Sequence, residues 1–254
     1  MNILRLRMVW ERLAKEDPYW AVLTSPDKAG NRWQLEEFFQ TGRDEVDACL
    51  NEMKRHRPDV ARGAALDFGC GVGRLSQALA RHYDRVTGID VAERMIELAN
   101  RHKPSDAADR IRYVHNARSD LRVFDDGAFD LVFSLITLQH IPPPLIEGYL
   151  GEFARITKLG GLIYFQLPSF APNATPEVKK WSWYPPTLYT RLKRWTGRWF
   201  RRFTGIGDTM HMNTLPEARV RELLRAAGAE VISARQQTEQ DGCISVIYLA
   251  EREV

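Results

Sequence analysis

From residue 64 onward, short apolar runs alternate with amphipathic segments along the chain. The apolar runs predict seven strands, at 64–68, 85–90, 111–115, 129–134, 162–167, 230–235 and 244–250. Apolar residues at helical spacing predict the helices between them, near 72–80, 92–100, 145–156 and 214–227. This alternation is typical of a mostly parallel sheet with crossover helices on its faces. The third and fourth strands, rich in β-branched and aromatic residues, are expected to be buried on both faces.

Two local signals predict where helices begin and end. The pair Gly160-Gly161 follows the apolar stripe of 145–156 and is expected to stop that helix. The sequence Thr214-Leu215-Pro216-Glu217 has the spacing of a capping box, which predicts that Thr214 caps the last helix and Pro216 lies in its first turn.

Two regions lie outside the alternation. Residues 1–60 are helical in pattern and rich in aromatic residues, which predicts an N-terminal helical cap. Residues 169–213 interrupt the sheet pattern, and we call them the basic insertion. The predicted organisation is therefore the cap (1–60), a cofactor-binding core (61–168), the basic insertion (169–213) as a lid or substrate-binding element, and a C-terminal helix with the last two strands (214–254).

Composition places the chain among globular proteins. Of its 254 residues, 44% are hydrophobic and 27% are charged, which excludes a wholly disordered chain. The net charge is only +3, but residues 169–210 hold eight basic and two acidic residues and so carry +6. The charge of the chain is therefore concentrated in the basic insertion.

The cysteines and the N-terminus indicate the compartment. Cys49, Cys70 and Cys243 are far apart and form no C-x-x-C pair, so neither a disulfide framework nor a zinc site is expected. Arginines interrupt the first twelve residues, where a secretion signal needs an unbroken apolar run. The apolar stretch 131–141 is too short and too polar to span a bilayer. A cytoplasmic location is expected.

The strongest chemical signal is a glycine-rich turn between the first strand and the first crossover helix. Gly69, Gly71 and Gly73 alternate there, and Asp90 ends the next strand about 20 residues later, where a carboxylate can accept hydrogen bonds from ribose hydroxyls. A dinucleotide fingerprint requires Gly or Ala at position 74, but Arg74 stands there, which disfavours NAD. Asp67, two residues before the first glycine, places an anion beside the turn.

The pattern D-x-G-x-G-x-G with a downstream acid resembles the class I S-adenosylmethionine-dependent methyltransferases. The resemblance implies a Rossmann-like, doubly wound, seven-stranded, mostly parallel α/β sheet whose last strand is antiparallel. It implies S-adenosylmethionine as cofactor, held by residues at the carboxyl ends of the strands. Asp67 would hold the methionine ammonium and Asp90 the ribose. The remaining implied contacts are Gly69, Gly71, Gly73 and Arg74 at the turn, Val91 and Met95 beside the adenine, and Ser134 and Leu135 at the methyl-donor end.

One position departs from the family pattern. After the third strand, many members have an acidic residue that bonds the adenine amine, whereas this chain has Asn116 and Ala117. Asn116 is the predicted substitute for that acid.

His140, in the loop after the fourth strand, is the candidate catalytic base, because imidazole titrates near neutral pH. The alternative is a structural histidine that shapes the turn before Pro142. His211, in the basic insertion, is a weaker candidate. No histidines or carboxylates occur at metal-ligand spacing, so no metal is expected.

The basic insertion is expected to select the methyl acceptor. Read as a helix, residues 186–203 place Leu192, Trp195 and Trp199 on one face and arginines on the others, which predicts either a lid or a peripheral membrane contact. The predicted acceptor is an oxygen of a small molecule or glycan, which includes lipid-linked ones. The alternatives are a nucleic-acid methyltransferase, an NAD-dependent reductase and a non-catalytic cofactor-binding module that docks on a membrane; nucleic acid is disfavoured because no recognised binding module accompanies the basic residues.

Overall fold

The computed structural model describes residues 3–170, 212–238 and 243–253. Its sheet has seven strands in the order β3-β2-β1-β4-β5-β7-β6. The strands are β1 (Ala64–Phe68), β2 (Arg85–Asp90), β3 (Ile111–His115), β4 (Phe129–Ser134), β5 (Thr157–Phe170), β6 (Ala229–Thr238) and β7 (Ile244–Arg252). The first four coincide with the predicted strands.

The directions of the strands confirm the predicted fold class. The pairs β2–β3, β1–β2, β1–β4 and β4–β5 are parallel, whereas β7 runs antiparallel to both of its neighbours, β5 and β6. The last strand of the chain is thus inserted between β5 and β6. The direction of winding reverses between β1 and β4, and in open α/β sheets the ligand crevice lies at such a reversal, beyond the carboxyl ends of the strands.

Helices precede, connect and cover the strands. They are α1 (Ile3–Glu16), α2 (Pro18–Val22), α3 (Leu35–His56), α4 (Arg74–Leu79), α5 (Glu93–Arg101), α6 (Pro143–Ile156) and α7 (Glu217–Ala226). Short 3-10 turns lie at Pro26–Lys28, Ser105–Ala107 and Leu138–His140. Helices α1 to α3 all come before β1, in the region predicted as a cap.

The core lies on both faces of the sheet, as the alternation of side chains along a strand requires. On β1, Leu66 and Phe68 belong to a cluster that α6 and α7 cover, whereas Ala65 belongs to a second cluster that α3 and α4 cover. Every residue of β1 and β4 is buried. The central strands therefore form a rigid platform for the loops at their carboxyl ends.

Polar contacts attach the N-terminal helices to this platform. The Glu11 carboxylate of α1 accepts hydrogen bonds from the backbone N–H groups of Glu93 (2.6 Å) and Arg94 (3.4 Å), at the beginning of α5. These N–H groups have no partner within their own helix, so Glu11 caps α5 from another element. Helix α1 is thereby attached to the beginning of α5, just beyond the end of β2.

The burial of β3 differs from the prediction. β4 is buried along its whole length, but β3 buries only Ile111 fully. The reason is its place in the sheet, because β3 is an edge strand that pairs with β2 alone. The enrichment in β-branched and aromatic residues was therefore no measure of burial for this strand.

Both predicted helix-end signals are wrong. Helix α6 ends at Ile156, before the glycine pair, and Gly160 (φ 73°) lies within β5, where the register against β4 shifts. Helix α7 begins at Glu217, with Pro216 at its N-cap position and no side-chain cap. The Leu215 N–H bonds to the Pro168 carbonyl (3.0 Å), which draws the segment before α7 alongside β5 and removes Thr214 from the cap.

Most of the basic insertion lies outside the described residues. The predicted amphipathic helix at 186–203 and the candidate His211 lie among residues 171–211, outside the described residues. The domain boundaries proposed above likewise stay predictions. No helix in the described parts of the chain has the length and apolar content that crossing a bilayer requires.

Gly42 provides a test of the packing between α3 and α4. A Cβ atom at this position would lie 2.5 Å from the Arg74 carbonyl oxygen, which belongs to the backbone. We expect Gly42→Ala to lower the free energy of unfolding by about 1–3 kcal/mol through overpacking. In the control Gly151→Ala, on α6, the new Cβ meets nothing within 4 Å, and a gain of about 0.5–1 kcal/mol is expected. Urea denaturation measures both, and equal stabilisation by the two substitutions would contradict the packing.

Candidate active site

The glycine turn connects β1 to α4 through three residues with positive φ, Gly69 (76°), Gly71 (52°) and Gly73 (85°). The N–H groups of Gly69 and Cys70 both donate to the Ile89 carbonyl, at 2.8 and 3.0 Å. The turn is therefore tied to the end of β2. Glycine is the residue that adopts this left-handed backbone without strain.

The missing side chains of the glycines also make room for neighbouring elements. A Cβ at Gly69 would lie 2.2 Å from the Thr137 methyl group, and one at Gly73 would lie 2.2 Å from the Tyr113 hydroxyl. The loop after β4 therefore packs directly on the turn from one side, and β3 packs on it from another. Gly69 and Gly71 line a crevice, whereas Gly73 does not.

Asp90 links the turn to the beginning of the next crossover. Its carboxylate accepts hydrogen bonds from the N–H groups of Gly71 (2.9 Å) and Ala92 (2.8 Å). Burial raises the pKa of Asp90, and these backbone hydrogen bonds oppose that rise. Asp90 lines the crevice, and its oxygens keep lone pairs for further donors.

Asp67 is placed differently from Asp90. Its side chain is 1% exposed, does not line the crevice and accepts a hydrogen bond from the Ser76 hydroxyl at 2.5 Å. Burial raises the pKa of Asp67 to about 6, although Ser76 and Arg74 act in the opposite direction. The carboxylate supports the glycine turn from behind, through the first turn of α4.

The crevice lies at the reversal of strand order between β1 and β4. About 870 Å³ of space lies within it, including the part that is open to solvent. Of the predicted cofactor residues, the structure brings eight together in its wall: Gly69, Gly71, Arg74, Asp90, Val91, Met95, Asn116 and Leu135. Asp67, Gly73, Ala117 and Ser134 do not line it.

Asn116 lines the crevice with its amide already engaged. Its Nδ2 donates to the Asp120 carbonyl (2.8 Å), and its Oδ1 accepts from the Arg118 N–H (3.1 Å). Val91 and Met95 provide the apolar surface beside it. This end of the crevice therefore offers apolar packing and a loop that Asn116 holds in shape.

The loop after β4 forms the opposite wall. Ser134 is buried and donates to the Phe68 carbonyl at 3.0 Å, which fastens β4 to the end of β1. Leu135, Ile136 and Thr137 line the crevice. Ile136 has a φ of 58°, an uncommon backbone conformation for a β-branched residue. Such conformations persist where the surrounding packing imposes them.

His140 lies at the end of the 3-10 turn that follows this loop. It is 7% exposed, its ring meets the Trp10 ring edge-on at 5.2 Å between centroids, and Nε2 is 3.3 Å from Gln139 Nε2. His140 does not itself line the crevice, but Thr137 and Ile141 on either side of it do. Trp10, whose ring contacts His140, lines the crevice as well.

The sequence analysis missed the contribution of the N-terminal helices. Ile3, Leu6 and Trp10 of α1 line the crevice, as do Ala21 and Val22 of α2. The spacing of the α1 residues predicts an amphipathic helix, but no sequence signal indicates which element its apolar face meets. The other residues missed are Phe68, Cys70, Leu75, Ile89, Ile136, Thr137, Ile141 and Tyr149.

No group of three or more His, Cys, Asp and Glu side chains that could hold a metal occurs among residues 3–170, 212–238 and 243–253. The expectation of a metal-free site stays a prediction.

Known proteins are similar to the middle of this chain. A family model described as a methyltransferase domain matches residues 66–165. The chain is 29% identical over 148 residues to the ubiquinone biosynthesis O-methyltransferase of Albidiferax ferrireducens, covering 58% of each chain. It is 32% identical over 118 residues to the protein of the same name from Xanthomonas oryzae pv. oryzae, covering 46% of this chain and 48% of that one. The chain thus spans about half the length of these relatives.

Solved structures share the fold over more of the chain. Magnesium protoporphyrin IX methyltransferase from Synechocystis PCC 6803, solved with bound SAH, has a TM-score of 0.63 at 17% identity and covers 99% of this chain and 100% of its own. The [4+2]-cyclase SpnF has a TM-score of 0.58 at 15% identity, with 83% of each chain covered. Since one of these two proteins is a cyclase, the fold alone does not determine the reaction.

The matched domain and the sheet support the predicted resemblance. Residues 66–165 match a methyltransferase domain, and the seven-stranded sheet has the fold of the solved methyltransferase. The predicted enzyme class agrees with the description of the matched domain. The reaction of the whole chain and its acceptor are matters for proposal.

The buried Asp67 carboxyl predicts a pH-dependent stability. Its pKa rises from 3.8 in the unfolded chain to about 6 in the folded one, so the folded state holds this proton more tightly. The stabilisation is complete below pH ~4 and is lost as the pH rises to ~6. Relative to Asp67→Asn, the wild-type free energy of unfolding should fall over this window by roughly 1–3 kcal/mol. Urea denaturation at several pH values measures it, and parallel profiles for the two proteins would contradict the assignment.

Proposed function

We propose that this protein binds S-adenosylmethionine in the crevice and transfers its methyl group to an oxygen of an apolar small molecule. The observation that carries the proposal is Asp90, whose carboxylate holds the glycine turn and lines the crevice at the carboxyl end of β2. A carboxylate at this place accepts hydrogen bonds from both hydroxyls of a ribose. The crevice therefore fits an adenosyl group, with the ribose on Asp90.

The apolar end of the crevice supports the same orientation. Val91 and Met95 give a flat aromatic base an apolar surface. The amide of Asn116 uses one N–H and one lone pair to hold its own loop, so we assign Asn116 and Ala117 first to the shape of the adenine subsite. The second N–H and the second lone pair stay available to the base. Asp67 supports the turn through Ser76 and leaves the methionine ammonium to other acceptors.

The acceptor is proposed to lie against the N-terminal helices. Ile3, Leu6 and Trp10 of α1, together with Ile136 and Ile141, give this part of the crevice apolar walls. Such walls favour an apolar molecule over a glycan, because sugar hydroxyls would lose their hydrogen bonds to water there. The curated relatives are named as O-methyltransferases of ubiquinone biosynthesis, which supports oxygen as the methylated atom.

The chemistry divides between cofactor and protein. The bound cofactor supplies a methyl group on a sulfonium, which is already activated for in-line displacement. The protein has to align the acceptor oxygen, exclude water and take up the proton of a hydroxyl. Trp10 and Ile136 are assigned to alignment and exclusion of water. His140 is proposed as the base, with a shift of the Trp10 ring bringing its imidazole to the acceptor.

Membrane or lipid-linked contact through residues 186–203 is a separate prediction from the sequence. Those residues lie outside the described part of the chain, so the proposal for the acceptor rests on the crevice walls alone.

Asp90 is tested by affinity. Asp90→Ala should weaken binding of S-adenosylhomocysteine by about 1–3 kcal/mol, since charge-assisted hydrogen bonds to the ribose are lost. Asp130→Asn is the control, because the Asp130 carboxylate likewise accepts a backbone hydrogen bond, from the Ala64 N–H at 2.7 Å, but lies outside the crevice. Isothermal titration calorimetry should show an effect for Asp90→Ala only. Equal affinity of Asp90→Ala and wild type would refute the ribose assignment.

His140 is tested by turnover. His140→Ala should lower kcat by roughly 10²-fold if the imidazole is the base, with the affinity for S-adenosylhomocysteine retained. His82→Ala is the control, because His82 lies outside the crevice, where its Nε2 is 2.7 Å from the Asp47 carboxylate. The assay uses labelled S-adenosylmethionine with a panel of phenols and hydroquinones. A fully active His140→Ala enzyme would leave His140 a structural role only.

A further inference from the structure

The beginning of α5 lies between the two parts of the crevice. Val91, just before this helix, and Met95, in its first turn, line the crevice where the base is proposed to lie. Asp90, proposed to hold the ribose, accepts the Ala92 N–H at the same place. Helix α1, proposed to face the acceptor, is attached to this turn through Glu11. One helix turn therefore joins the donor side of the crevice to the acceptor side.

Three successive N–H groups at this turn are shared between two carboxylates. The Asp90 carboxylate accepts the Ala92 N–H at 2.8 Å. The Glu11 carboxylate accepts the N–H groups of Glu93 at 2.6 Å and Arg94 at 3.4 Å. The first N–H groups of a helix have no partner within it, and the helix dipole favours negative charge beside them. Both carboxylates therefore bind the same turn without competing for a donor.

Glu11 gives α1 its directional contacts with this turn. The side chain of Glu11 is 23% exposed, so its hydrogen bonds are partly shielded from water. Arg7 lies 3.8 Å from Glu11 and 3.7 Å from Glu93, but ion pairs as exposed as these contribute little. Ala14 of α1 and Met95 share an apolar cluster, and apolar packing is not directional. The hydrogen bonds of Glu11 are therefore the contacts that set the position of α1 against α5.

We infer that Glu11 couples the two subsites, as a positioning residue that holds the acceptor wall on the turn that also binds the donor. The inference rests on the proposed function, since both subsites are those proposed above. A ribose on Asp90 and a base on Val91 and Met95 fix the first turn of α5, and a fixed turn holds Glu11 more tightly. Trp10, the residue before Glu11, is thereby set for the acceptor once the donor is bound.

Coupling of this kind is reciprocal. If bound S-adenosylhomocysteine holds α1 on α5 more tightly by some factor, loss of the Glu11 contact must weaken binding of the ligand by the same factor. Couplings between sites are typically about 5- to 150-fold, and for two hydrogen bonds on a partly exposed side chain we expect roughly tenfold. A measurement on α1 and a measurement on the ligand must therefore agree.

Hydrogen exchange of the full chain, followed by mass spectrometry, measures how tightly α1 is held. Saturating S-adenosylhomocysteine should slow the exchange of residues 3–16 in the wild type by roughly tenfold. In Glu11→Ala the slowing should be less than about twofold, although this variant still binds the ligand. Equal slowing in both proteins would mean that the ligand protects α1 by direct contact, and would overturn the inference. Exchange that the ligand leaves unchanged in the wild type would overturn it as well.

Calorimetry measures the effect on the ligand. Glu11→Ala should bind S-adenosylhomocysteine roughly tenfold more weakly than the wild type, in agreement with the exchange result. Glu16→Ala is the control, because it removes an exposed carboxylate from the end of the same helix and should change neither measurement. Unchanged affinity of Glu11→Ala would contradict the coupling, whereas failure of the wild type to bind the ligand would contradict the proposed function itself.

Glu11→Gln covers the case in which Glu11→Ala does not fold. The amide keeps an oxygen that accepts the same N–H groups but loses the negative charge. Since a neutral hydrogen bond is roughly half as strong as a charge-assisted one, this variant should retain part of the coupling, roughly threefold in both measurements. An affinity and an exchange response identical to those of the wild type would remove Glu11 from the coupling.

Discussion

The site depends on one carboxylate that joins two turns. Asp90 accepts the N–H of Gly71 from the turn after β1 and the N–H of Ala92 from the turn after β2. The backbone of the glycine turn also bonds to β2 through the Ile89 carbonyl. Because the turn after β1 lies at the reversal of strand order and the turn after β2 lies beside it, these hydrogen bonds set the shape of the crevice floor. Asp67 strengthens the same arrangement from behind, through Ser76.

The local parts of this arrangement were readable from the sequence. The first four strands coincide with apolar runs, since central strands are buried and carry little besides apolar residues. The alternating glycines and Asp90 were recognisable because their backbone and ligand chemistry restrict the residue types allowed. Arg74 was identified as a cofactor residue, but its ion pair with Glu45 was not, because it joins positions 29 residues apart on different helices.

The failures have tertiary causes. The capping box at Thr214 does not form because the Leu215 N–H bonds to the Pro168 carbonyl of β5. β3 is only partly buried because it lies at an edge of the sheet. The crevice wall formed by Ile3, Leu6 and Trp10 was missed because the apolar face of a helix does not indicate which element or ligand it contacts. The amphipathic pattern of α1 is the same for a helix that packs on a core and for one that faces a ligand.

The position of α1 has a consequence for how such proteins diverge. The methyltransferase domain match begins at residue 66, whereas the crevice residues of α1 and α2 all precede it. Part of the proposed acceptor wall, Ile3, Leu6 and Trp10, thus lies outside the domain that contains the residues proposed for the donor. Exchange of a few side chains on α1 can change which molecules are admitted while every residue of the domain is conserved. Sequence similarity across that domain therefore says more about the proposed methyl donor than about which acceptor is selected.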